Sequence, residues 1–209
     1  FSQKSDWGHL YLHDLASGKE KRQLTSGNWN VAKVAHIDAA SRTLWFEGVG
    51  REAGRDPYFA HFYKVGMDGG DVQLLTPENA AHTITPSKDA RYFVDVYSTT
   101  RNPPVAVVRD AAGKQVAELA RTDITRLKAA GWVAPEDIVV KARDGKTDLY
   151  GLMFKPSTFD AAKKYPIVTY IYPGPQVGSV GRRGFSPSRS DHQALAELGF
   201  IVVAIDGMG

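Results

Sequence analysis

The chain of 209 residues has no cysteine, which excludes disulfides and thiolate–metal sites but leaves the compartment open. It has no apolar run near the ~18–20 residues of a membrane-spanning helix. Charge of one sign is also scarce. The 26 basic and 23 acidic side chains leave a net charge of +3, and the densest basic stretch is the broken K-E-K-R of Lys19 to Arg22. That is too little and too scattered for a nucleic-acid surface, and it reads as a solvated turn. No glycine-rich phosphate loop opens a helix, and no serine stands in a G-x-S-x-G setting. The nearest approach, G-F-S-P-S around Ser186, fails because Pro187 has no N–H to offer an oxyanion. The six histidines form no recognisable ligand spacing, so no metal and no cofactor is expected. His192 is read as a helix-cap or solvent-facing residue.

What is present begins with a repeat. His9 to Thr25, His61 to Thr76 and Pro104 to Leu119 each read as an alternating strand, a polar turn and a second strand ending in Leu. Their turn glycines, Gly18, Gly70 and Gly113, recur at intervals of 52 and 43 residues. An all-strand repeat of this length is the mark of β-propeller blades, with the repeated hairpin as the outer pair of strands. Between the repeats, Asn30 to Ile37 with Thr43 to Gly48, and His82 to Pro86 with Tyr92 to Tyr97, supply the inner pairs. Alternation puts Tyr92, Val94 and Val96 on one face and Phe93, Asp95 and Tyr97 on the other. Phe1 to about Arg121 is thus expected to hold two complete blades and parts of others. So few blades cannot close, which suggests a piece of a larger protein.

A different grammar follows. Asp123 to Ala130, stopped by Gly131, reads as a short helix between domains. Glu136 to Ala142 and Thr147 to Pro156 flank Asp144-Gly145, a strong hairpin signal. Two short apolar runs then stop at glycine: Lys163 to Pro175 and Gly199 to Gly209. Rich in β-branched and aromatic residues, they predict buried parallel strands. Between them Ser190 to Leu198 predicts a helix, capped by Ser190 or Asp191, with Leu195 and Leu198 on one face and Gly199 as its stop. This strand–helix–strand unit starts a parallel α/β sheet. The fold class expected is therefore mixed: antiparallel β-propeller blades in residues 1–130, then the first strands of an α/β-hydrolase sheet in residues 131–209.

Tyr172 is the candidate catalytic residue. It ends the first parallel strand at the carboxyl edge, where open α/β sheets place ligands, and Pro173-Gly174-Pro175 turns the chain there. A phenol so held can donate to charge developing on a substrate oxygen. An ordinary buried tyrosine fits the same residues. The long loop from Gln176 to Arg189 carries Arg182, Arg183 and Arg189, suited either to a carboxylate or neighbouring domain, or to a solvated surface.

Several stretches resemble the prolyl oligopeptidase family of serine peptidases, most closely its dipeptidyl peptidase IV-like branch. They are K-K-Y-P-I-V-T-Y-I-Y-P-G-P at Lys163, Q-A-L-A-E-L-G-F-I-V-V-A-I-D-G-M-G at Gln193, H-F-Y-K-V at His61 and L-T-S-G-N-W-N-V at Leu24. The resemblance covers essentially the whole chain and is stronger in the hydrolase half. It implies hydrolysis of peptide bonds after proline or a small residue, a peptide substrate, and Tyr172 as side-chain oxyanion donor. It also implies that the Ser, Asp and His of the family follow Gly209 and that the acidic anchor of the substrate amino terminus precedes Phe1, so this chain alone would be inactive. A homodimeric parent and a periplasmic or other extracytoplasmic location are compatible with it. The sequence departs from the branch at Pro173, where Ala or Gly is frequent, and at Met208, where Arg is common. A propeller-linked carboxylesterase or acyl hydrolase, and a non-catalytic propeller binding module, share this scaffold.

Overall fold

The computed structural model describes residues 1–172 and 178–207. It divides into two compact units, one of Phe1–Ser98 with Pro104–Arg121, the other of Thr99–Pro103 with the chain from Thr122 onward. Among the described residues no helix is long and apolar enough to cross a membrane.

The first unit is antiparallel throughout. Strands β1 (Tyr11–His13) and β2 (Glu20–Gln23) form a hairpin. Strands β3 (Asn30–Asp38), β4 (Thr43–Val49), β5 (Ala60–Gly66) and β6 (Gln73–Leu74) form one four-stranded meander in chain order. Strands β7 (Ala81–Pro86), β8 (Tyr92–Ser98), β9 (Val105–Asp110) and β10 (Gln115–Arg121) form a second. The three repeats are the hairpins β1/β2, β5/β6 and β9/β10, so in each complete blade the repeat is the last pair of strands. Their glycines sit at φ +67°, +105° and +84°, a backbone region that side chains disfavour, and this is why the repeat shows in the sequence.

Strands β4 and β5 are largely buried on both faces because apolar clusters pack on both sides of them. Phe46 and Tyr63, paired across the strands, face Leu10, Leu24 and Trp29. Their neighbours Trp45 and Phe62 face Ile84 and Phe93 of the next blade. Phe46 and Tyr63 are fully buried and stack at 5.5 Å, and each such ring stabilises the unit by about 1.5–3 kcal/mol relative to exposure. In β8, Phe93 and Asp95 lie on the buried face and Tyr92 on the exposed one, as alternation requires.

The second unit holds helix α1 (Thr125–Ala129) and a four-stranded sheet. Strands β11 (Glu136–Lys141) and β12 (Asp148–Phe154) form the hairpin. Asp144 makes its turn by accepting the backbone N–H groups of Lys146 and Thr147. Strand β13 (Ile167–Tyr170), helix α2 (His192–Glu197) and strand β14 (Ile201–Ile205) follow, in the sheet order β11-β12-β14-β13. β13 and β14 run parallel, whereas β14 runs antiparallel to β12.

Three expectations need correction. β13 is not buried: Ile167 is 65% exposed and Tyr170 43%. Among the described residues its only partner is β14, which keeps Val202 and Ala204 buried by standing between two strands. Helix α2 begins without a side-chain cap, and its inner face is His192 and Ala196, not Leu195 with Leu198, which is 75% exposed. His192 is neither a cap nor a solvent-facing group. It is buried, with its ring 4.6 Å from Tyr170 and 5.1 Å from Phe154.

Candidate functional site

Tyr172 lies two residues beyond β13, at the carboxyl edge of the parallel pair, and is half exposed. Pro173 to Pro175, and Met208, fall outside the described residues. Ser179 Oγ accepts the Tyr172 backbone N–H at 2.6 Å. Asp206, just after β14, accepts the backbone N–H groups of Ser179 and of Val180, the latter at 3.0 Å. The ends of both parallel strands are therefore joined through one serine and one carboxylate.

Behind this edge, Leu152, Phe154, Tyr170, Ser179, His192 and Ala204 line a cavity of about 250 Å³. The arginines of the loop divide their work. Arg183 is buried, donates to the Gly151 carbonyl at 2.9 Å and pairs with Asp137 at 3.5 Å. It thus meets a carboxylate, one of the two roles the sequence offered. Arg189 donates to the carbonyls of Arg182 and Gly184, and burial lowers its pKa. Ser186 turns its hydroxyl to the Ser188 carbonyl, and the Pro187 carbonyl accepts from Trp132, so this stretch is occupied in loop structure.

A second polar cluster, not singled out from the sequence, lies inside the last blade. Asp95, fully buried, accepts from Arg109 Nε at 2.9 Å and faces His82 Nδ1 at 2.8 Å. Arg109 also donates to Glu78 at 2.6 Å and to the Gly113 carbonyl at 3.2 Å. Burial works against the Arg109 charge, but its bonds to Glu78 and Asp95 outweigh this and raise its pKa. Glu78, His82 and Asp95 offer ligand atoms within 4.8 Å of one another, a spacing a cation could bridge. The guanidinium of Arg109 already bridges the two acids, so the cluster reads as a blade-closing ion network.

The repeat explains two other histidines. The Thr25 hydroxyl accepts the Leu10 N–H at 3.0 Å and meets His9 Nδ1 at 3.0 Å. The Thr76 hydroxyl accepts the Phe62 N–H at 3.0 Å and lies 3.4 Å from His61 Nδ1. Each His–Thr pair clasps the two ends of its hairpin. The signal was in the sequence: His opens and Thr closes both of the first two repeats, and the third, which has Pro104 instead of His, lacks the clasp. Asp206 was not singled out from the sequence either, although its place after a parallel strand, at the edge where ligand-side groups collect, was a signal for it.

With this geometry described, known proteins can be compared. The family described as dipeptidyl peptidase IV (DPP IV) N-terminal region matches residues 1–104. Human dipeptidyl peptidase 8 is 31% identical over 203 residues, 91% of this chain and 22% of that protein. Mouse dipeptidyl peptidase 8 is 30% identical over the same shares. The crystal structure of Porphyromonas gingivalis dipeptidyl peptidase 4 superposes with a TM-score of 0.82 at 26% identity, over 99% of this chain and 28% of that one. The chain thus spans about a fifth of the length of the curated relatives it matches. The architecture is that of antiparallel propeller blades followed by the first strands of an α/β-hydrolase sheet.

Proposed function

Since this chain belongs to the dipeptidyl peptidase IV-like branch of the prolyl oligopeptidase family, we propose that it is part of a serine-type peptidase acting after proline or a small residue. Residues 1–130 supply the C-terminal part of its propeller and residues 131–209 the start of its hydrolase domain. The chain does divide into two compact units, but at Arg121/Thr122, so helix α1 goes with the second of them. In the parent enzyme a serine outside this chain attacks the scissile carbonyl with histidine as base. Tyr172 donates its phenol O–H to the oxyanion together with a backbone N–H.

The observation that carries the assignment is the place of Tyr172. It is half exposed, beyond the carboxyl end of a parallel strand, on backbone anchored by Ser179. An oxyanion donor contributes about 2.7–4 kcal/mol to the transition state. Tyr172→Phe in the full-length enzyme is therefore expected to lower kcat by about 10²-fold or more, measured on a chromogenic Xaa-Pro dipeptide. An unchanged kcat removes the role. Simple esters in the same assay separate a peptidase from an acyl hydrolase, and this chain alone is expected to turn over neither.

A further inference from the structure

Resting on the oxyanion role of Tyr172, we propose that Asp206 is the positioning residue for that tyrosine and acts through Ser179. Three observations converge. The Asp206 carboxylate accepts two consecutive loop amides, those of Ser179 and Val180. The same Ser179 turns its hydroxyl oxygen to the Tyr172 N–H at 2.6 Å. At Gly178 a Cβ would stand 2.7 and 2.8 Å from the two Asp206 carboxylate oxygens, so the carboxylate packs directly against the loop backbone. The carboxylate is seated against bare backbone, and the loop is built to receive it.

The physical logic is one of anchoring. Asp206 follows β14, whose pairing with both β12 and β13 fixes it, and its own N–H donates to the Tyr150 carbonyl at 3.2 Å. Hydrogen bonds from amides to an ionised carboxylate are roughly twice as strong as neutral ones, so the rigid interior strand holds the loop. The loop in turn holds the backbone of Tyr172 through the Ser179 hydroxyl. Tyr172 is thereby held in place, which an oxyanion donor requires, because its gain depends on being in place before charge develops.

The test is a double-mutant cycle in the full-length enzyme, with kcat and KM measured separately. Asp206→Ala is expected to lower kcat about tenfold with little change in KM, and to cost less than about twofold more in a Tyr172→Phe background. Asp206→Asn keeps an oxygen that can accept both amides and should restore most of the loss. Ser179→Ala, which removes only a loop hydroxyl, should reproduce the Asp206→Ala loss and its masking by Tyr172→Phe, and it covers the case in which Asp206→Ala fails to fold. Full additivity of Asp206→Ala or Ser179→Ala with Tyr172→Phe overturns the relay while leaving the oxyanion role intact. A silent Tyr172→Phe instead overturns the oxyanion role itself.

Discussion

Two carboxylates in this molecule each tie separate segments together, and they do so for opposite ends. Asp95, in the last blade, has no exposed surface and joins His82 of one strand to Arg109 of another. Asp206, at the end of the parallel pair, is partly exposed and joins two loop amides. The first closes a buried charge network inside a sheet. The second holds a surface loop against a strand edge. The blade buries its polar groups to fix itself, whereas the hydrolase sheet spends one on holding something else.

Removing Asp95 should break this contrast most visibly. Asp95→Ala leaves His82 and Arg109 facing a void in the blade, and loss of one member of a buried ion pair costs about 3–5 kcal/mol. The outcome to look for is a large loss of hydrogen-exchange protection across β8 and β9, with the second unit's sheet unaffected. Asp206→Ala should leave exchange in the blades unchanged. Equal protection loss in both variants would erase the distinction between the two carboxylates. The next effect is that of Tyr172→Phe, expected in kcat at about 10²-fold or more and not in stability, because the change removes only the hydroxyl of a half-exposed ring.

A third test uses pH. His61 is buried, its Nδ1 lies 3.2 Å from the Thr76 carbonyl, and its Nε2 has no hydrogen-bond partner among the described residues. Burial, then the His82 ring at 5.1 Å, then Arg55 lower its pKa from 6.5 to about 4. The unfolded chain takes up a proton near pH 6.5, and the folded chain does so only near pH 4. The stability linked to His61 is therefore complete above about pH 6.5 and is lost as pH falls towards 4. Melting temperatures from pH 7.5 to 4.5 should drop less steeply in His61→Phe than in the native chain. The same slope in both would show that His61 is not the group responsible.

These differences bear on what the residues alone reveal. The blades were legible because their rules are local: alternation, turn glycines in the left-handed region, and a repeated length. The parallel pair was legible too, from two β-branched runs on either side of a helix. Burial of β13 was not, since a run such as I-V-T-Y states that a strand is apolar but not whether a neighbour covers it. His192 was misread for a related reason. Its place on the inner face of α2 depends on Tyr170 and Phe154 arriving from two other strands. The Asp95 network joins residues from Glu78 to Arg109, and no short-range pattern connects them. Tyr172 stood out because chain direction alone puts it at the carboxyl edge.

The smallest effect sharpens the comparison inside the first unit. Thr25 and Thr76 make the same bond to a backbone N–H, but their surroundings differ. His9 is satisfied on both sides, by Thr25 and by the Gly27 carbonyl at 2.9 Å, while His61 Nε2 has no hydrogen-bond partner among the described residues. Valine fills the space of threonine and removes the hydroxyl, so each substitution costs about 1–3 kcal/mol for a buried N–H left unpaired. Thr25→Val should be the costlier of the two, because it also takes a partner from the His9 ring at 3.0 Å, whereas His61 retains the Thr76 carbonyl. Urea unfolding of the two variants checks the order. If Thr76→Val is the more damaging, the hydroxyl of Thr76 does more for His61 than its 3.4 Å separation implies, and the pH test above should then shift with it.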